Sequence, residues 1–104
     1  MCKFETFVFD AIPRAQVAVL LEVEREEEFA PVKSRTGEDT PANARRMMTR
    51  KAARWLEAAG VPVPRDAAGD PIHPLELSPL TAMYPEDLVG LHAKGRKVEG
   101  PLAL

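Results

Sequence analysis

The chain reads as α/β, with two or three strands packed on one long helix and a small proline-rich, strand-containing lobe at its C-terminal end. Three observations predict this. Two short runs of β-forming residues open the sequence, one capped stretch of helical periodicity fills its middle, and prolines crowd the remaining third. At 104 residues there is room for one thin core, since a chain of this size buries roughly two thirds of its unfolded surface. Residues 1–60 read as sheet and helix, and residues 61–104 as the extended lobe.

Taken in order, Thr6 to Phe9 and Val17 to Val23 are the two strand candidates, the second nearly continuous and of the kind buried on both faces of a sheet. Between them Asp10 can cap a short helical turn through Ala15, with Pro13 in its first turn. That connection is short for a parallel crossover between neighbouring strands. An acidic run, Glu24 to Glu28, leads into a polar loop around Gly37.

The helix signals then align. Asp39 or Thr40 caps, Pro41 takes the first helical position, and Ala44, Met47, Met48, Ala52, Trp55, Leu56 and Ala59 follow at helical spacing until Gly60. Met47, Met48 and Trp55 read as core. From Val61 to Pro79, five prolines and a Gly69–Asp70 turn imply an extended connector. Leu75 to Thr81 is a strand that Pro79 confines to an edge or bulge, and Leu88–Leu91 and Leu102–Leu104 are short strands or turns.

Bulk chemistry excludes several functions. Fourteen basic against sixteen acidic residues give a net charge of −2, no global field for nucleic acid or an anionic membrane. The cations of the helix (Arg45, Arg46, Arg50, Lys51, Arg54) are spread around it without interleaved aromatics, so they read as a solvated face, with the acidic run as a pairing partner. No apolar run is long enough to span a bilayer. Cys2 is the lone cysteine, which suits a reducing, cytoplasmic setting. His73 and His92 lack ligand-like spacing, so no metal site is expected.

Three pieces in order, FVFD at Phe7–Asp10, EVEREEEFAPVKS at Glu22–Ser34 and LELSPL at Leu75–Leu80, together with the helix between them, resemble the C-terminal part of the UDP-N-acetylhexosamine and UDP-glucose pyrophosphorylase family. The resemblance implies part of a Rossmann-like nucleotide-sugar transferase sheet, residues 1–60 being the C-terminal part of the catalytic domain. It implies an enzyme that joins UTP and a sugar 1-phosphate into a UDP-sugar and pyrophosphate, with Mg2+ in the intact protein and none bound by this segment. By the same resemblance Lys33 reaches the phosphates, and Phe7 and Phe9 line the sugar pocket. Without it, Lys33 reads as a solvated loop lysine, and the two phenylalanines, on one side of a strand, read as core.

Two departures accompany it. Position 34 is serine where the family commonly has asparagine, and no G-x-G or G-x-x-x-x-G-K loop exists here to cradle a triphosphate. The expectation is therefore a C-terminal fragment, inactive without a missing N-terminal nucleotide-binding domain. Its uncovered strands favour a homo-oligomer. The alternative reading, from a different class, is a non-catalytic binding or oligomerisation module that retains the family's C-terminal fold.

Overall fold

The computed structural model describes residues 7–91 and 95–104. Its best-formed element is α2, Pro41–Ala58. Thr40, itself buried, accepts the Asn43 N–H on its hydroxyl at 3.1 Å, and Pro41 fills the first position, where no N–H is required. At the other end Gly60 adopts φ +83°, its N–H reaches the Glu57 carbonyl, and the Val61 N–H reaches the Leu56 carbonyl. This paired closure uses the left-handed conformation that glycine enters without a Cβ clash. Both helix boundaries match the sequence expectation.

One face of α2 carries Ala52, Ala53 and Leu56 into the core, where Val61, Leu75, Ala82, Leu88 and Val98 join them. Trp55 is half-buried at the margin. Met47 is also half-buried, but Met48 is exposed, so the expectation of two core methionines holds only in part. Small residues at 52 and 53 let the following chain approach α2 closely.

That chain supplies the sheet. Strand β1, Leu75–Glu76, pairs in parallel with β2, Leu102–Ala103, in the register Leu75 to Leu102 and Glu76 to Ala103. The expected strand from Leu75 to Thr81 is therefore much shorter. Past Glu76 the chain enters a turn at Pro79–Thr81, in which Thr81 and Ala82 donate to the Ser78 carbonyl. The Leu88–Leu91 piece resolves as a turn after a 3₁₀ segment, Pro85–Leu88, which buries Leu88, whereas the Leu102–Leu104 piece is the β2 strand. The molecule is a mixed α/β arrangement, one long helix on a two-stranded parallel sheet.

The N-terminal expectations fail in a consistent direction. Thr6 lies outside the described residues, and Val8–Arg14 forms a 3₁₀ helix in place of a strand. Asp10 does cap, but from inside that helix: its carboxylate accepts the Phe7 N–H at 3.0 Å. With three residues per turn, Phe7 and Phe9 do not share a side as strand residues would. Val17–Val23 joins no ladder, and its apolar side chains are exposed, Leu20 completely. A strand needs neighbouring backbone to satisfy its N–H and C=O groups, and no described segment lies beside this one. The radius of gyration, 18.2 Å, exceeds the roughly 13 Å of a compact chain this long.

Candidate functional site

Lys33 sits in the loop that delivers the chain to α2. Its N–H and that of Ser34 both donate to the Asp39 carbonyl, at 2.9 and 3.0 Å, which closes the loop back on itself. Gly37, at φ +86°, allows the reversal, and Asn43 Nδ2 ties the Glu38 carbonyl to the first turn of α2 at 2.8 Å. The Ser34 hydroxyl accepts the Thr36 N–H at 3.2 Å, so the serine has a local turn-forming role. The Lys33 side chain is exposed and forms no ion pair among the described residues.

Phe9 on the first 3₁₀ helix and Phe7 at its N-cap are both exposed, and that helix contacts no other described helix or strand. Neither they nor Lys33 line the groove of about 470 Å³ beside β1 or the smaller one of about 310 Å³ beside Asp70. The structure thus holds Lys33 on an ordered loop and leaves the two phenyl rings uncovered. It does not assemble the three around a common cleft.

The groove of about 470 Å³ lies between α2, β1 and the acidic segment before Phe29. That acidic segment contains α1, Arg25–Glu28. Glu27 takes Arg54 Nε at 2.7 Å, while Lys51 donates to the Glu27 carbonyl at 3.0 Å and lies 3.7 Å from Glu28. The pairing expected between the helix cations and the acidic run is present. Lys51 also stands 5.1 Å from the Trp55 ring centroid, and Arg25 4.3 Å from that of Phe29. Ala52, Trp55, Met83 and Leu77 give the groove an apolar interior under this charged rim. Sequence reasoning missed it, because its walls come from three separated segments.

On another side of α2, Asp70 accepts Arg50 and Arg46, the latter at 2.8 Å from Nη2. These bonds, Arg50's first, hold the Asp70 carboxyl below the usual carboxylate range and raise Arg50 in turn. Arg65 is likewise raised by its paired hydrogen bonds to Glu57, at 2.8 and 3.0 Å. These pairs anchor the Gly69–Asp70 turn to the helix. Among the described residues no three His, Cys, Asp or Glu side chains converge. No helix of the described residues is long and apolar enough to cross a membrane.

Comparison with known proteins bears on what the exposed segment and the Lys33 loop belong to. UDP-N-acetylglucosamine diphosphorylase 2 of Arabidopsis thaliana is 42% identical over 105 residues, covering 95% of this chain and 20% of its own length. The chain is a relative of the UDP-N-acetylhexosamine pyrophosphorylases. UDP-N-acetylhexosamine pyrophosphorylase-like protein 1 of Homo sapiens is 37% identical over 98% of the chain and 23% of its own length. A probable UDP-N-acetylglucosamine pyrophosphorylase of Dictyostelium discoideum is 33% identical over 83% and 18%. The chain thus spans about a fifth of the length of the pyrophosphorylases it matches. No family model matches it, and no solved structure does.

Proposed function

We propose that this chain is the C-terminal portion of a cytoplasmic UTP:sugar-1-phosphate uridylyltransferase, and that it supplies Lys33 to the phosphates and Phe7 and Phe9 to the sugar site of a centre completed by a nucleotide-binding part. The observation that carries this is the 42% identity maintained over 95% of the chain to one fifth of a UDP-N-acetylglucosamine diphosphorylase. The uncovered apolar stretch from Phe7 to Val23 supports it, since a sheet with the Rossmann-like plan implied by the resemblance would pair and bury those residues.

The chemistry suits the residue types. A phosphate oxygen of the sugar 1-phosphate attacks the α-phosphorus of UTP, the new P–O bond forms as the bond to the β-phosphate oxygen breaks, and pyrophosphate leaves. The nucleophile is already ionised, so no general base is required. What must be overcome is repulsion among several phosphate charges, and a lysine ammonium that has no ion-pair partner among the described residues, on a loop fixed by the Asp39 carbonyl, can neutralise part of it. A phenyl face suits the C–H side of a hexose ring. Magnesium assistance belongs to the completed centre.

The test is reconstitution. The chain, mixed with the separately produced remainder of a relative, is expected to restore pyrophosphate release from UTP and N-acetylglucosamine 1-phosphate. Lys33→Ala should lower turnover about 10²-fold, as removal of one charge-stabilising donor does elsewhere. Phe9→Ala should chiefly raise KM for the sugar phosphate. Full activity with Lys33→Ala would reject the catalytic role and leave the non-catalytic module.

A further inference from the structure

The loop that carries Lys33 has no packing to hold it. Residues 32–38 are all exposed, and none of their side chains joins an ion pair among the described residues. Its order therefore comes from hydrogen bonds. Three consecutive carbonyls at the entry to α2 are each engaged: that of Glu38 by Asn43 Nδ2 at 2.8 Å, that of Asp39 by the Lys33 and Ser34 N–H groups at 2.9 and 3.0 Å, and that of Thr40 by the Ala44 N–H at 3.0 Å. The Thr40 bond belongs to the helix, and the Asp39 bonds lie within the loop. Among the described residues, Asn43 is thus the one α2 residue whose side chain grips the loop by a hydrogen bond.

Asn43 stands at the third position of α2, where an acidic residue would complement the helix dipole and where asparagine has a weaker helical propensity than alanine or glutamate. A carboxylate cannot donate to a carbonyl, whereas an amide can. The backbone N–H of Asn43 is held by the Thr40 hydroxyl at 3.1 Å, and Nδ2 also lies 3.7 Å from Met47 Sδ, so the residue is fastened to the start of the helix as well as to the loop. By fixing the Glu38 carbonyl it sets the peptide unit that leads into Asp39. The Asp39 carbonyl is in turn the acceptor on which the Lys33 backbone rests.

We propose that Asn43 is a positioning residue for Lys33: its side-chain amide couples the loop to α2, so that the Lys33 backbone keeps a fixed place relative to the helix. The inference rests on the reading of Lys33 as the group that neutralises phosphate charge. It adds to that reading a residue that touches no substrate and acts only through the lysine's backbone. A preorganised cation stabilises developing charge without first having to be ordered, so loss of the tether should show in turnover more than in binding.

Two readouts test it. In the full chain, amide hydrogen exchange followed by NMR is expected to be about three- to tenfold faster at Lys33 and Ser34 in both Asn43→Asp and Asn43→Ala, the range that one lost hydrogen bond implies. Asn43→Asp favours the helix start while removing the donor, so exchange at the buried Ala52, Ala53 and Leu56 should not quicken and the helix circular dichroism should be retained. In the reconstituted enzyme, either variant should lower kcat about three- to tenfold with KM little changed, and in a Lys33→Ala background should lower it no further. Unchanged exchange at Lys33 and Ser34, wild-type turnover where Lys33→Ala is impaired, or an undiminished loss in the Lys33→Ala background would each overturn the proposal. Full activity of Lys33→Ala would instead reject the catalytic reading, and the exchange would still decide whether Asn43 holds the lysine in place.

Discussion

Replacing Leu56 and Leu20 with alanine tests where the energy of this fold resides, since the same chemical change is made at opposite extremes of burial. Leu56 is 1% exposed and is one of eight buried apolar side chains among the described residues, closing the helix end against Val61, whereas Leu20 is fully exposed. A buried Leu→Ala change costs about 3 kcal/mol from lost transfer energy and residual cavity. The exposed change should fall within about 0.5 kcal/mol of zero. A chain of this length holds on the order of 5–15 kcal/mol of stability in total. One truncation at Leu56 therefore removes a large share of it. The assay is urea unfolding followed by the fluorescence of Trp55, the chain's one tryptophan. With a denaturant slope of roughly 1.3 kcal/mol/M, Leu56→Ala should lower the midpoint by about 2 M, and Leu20→Ala should leave it unmoved. Equal losses at the two positions would show that Val17–Val23 is packed in solution, and would refute the argument from exposure.

Local geometry and electrostatics give two further expected outcomes. Gly60→Ala forces a Cβ into φ +83° and should destabilise by about 1–2 kcal/mol in the same titration; an unchanged midpoint would mean the helix end re-forms without the left-handed residue. Because Asp70 has its pKa depressed in the folded state, chiefly by Arg50 and then by Arg46, its contribution is complete above the ordinary value of 3.8 and disappears as pH falls below that toward the folded value. Thermal melts should thus separate wild type from Asp70→Asn at neutral pH and converge in acid; a difference that persists undiminished at low pH would rule out the ionised pair as its source.

What could be read from linear order divides from what could not along physical lines. Elements closed by contacts within a turn were readable: the Thr40 hydroxyl on the Asn43 N–H, Pro41 at the start, Gly60 at the stop, and the Gly69–Asp70 turn closed by the Asp66 carboxylate. Phe7, Val8 and Phe9 have β-forming side chains in any setting, but a strand exists only with a partner backbone, and without one beside them the local 3₁₀ hydrogen bonds prevail. The candidate site was legible only as separate residues. Likeness to known enzymes named Phe7, Phe9 and Lys33, while nothing in their spacing could show that the first two remain uncovered and the third rides a loop closed on Asp39.

The sequence by itself determined α2, its caps, the proline-rich connector and the kinship to UDP-N-acetylhexosamine pyrophosphorylases, because each is written in neighbouring residues or in linear order. Only the tertiary structure decided that Leu75 pairs with Leu102, that Asp70 answers Arg46 and Arg50, that Leu88 reaches the core, and that a groove opens between α1, α2 and β1. Those contacts join segments 20 or more positions apart, and the side chains that satisfy one another across such loops are selected by packing in three dimensions rather than by any local preference.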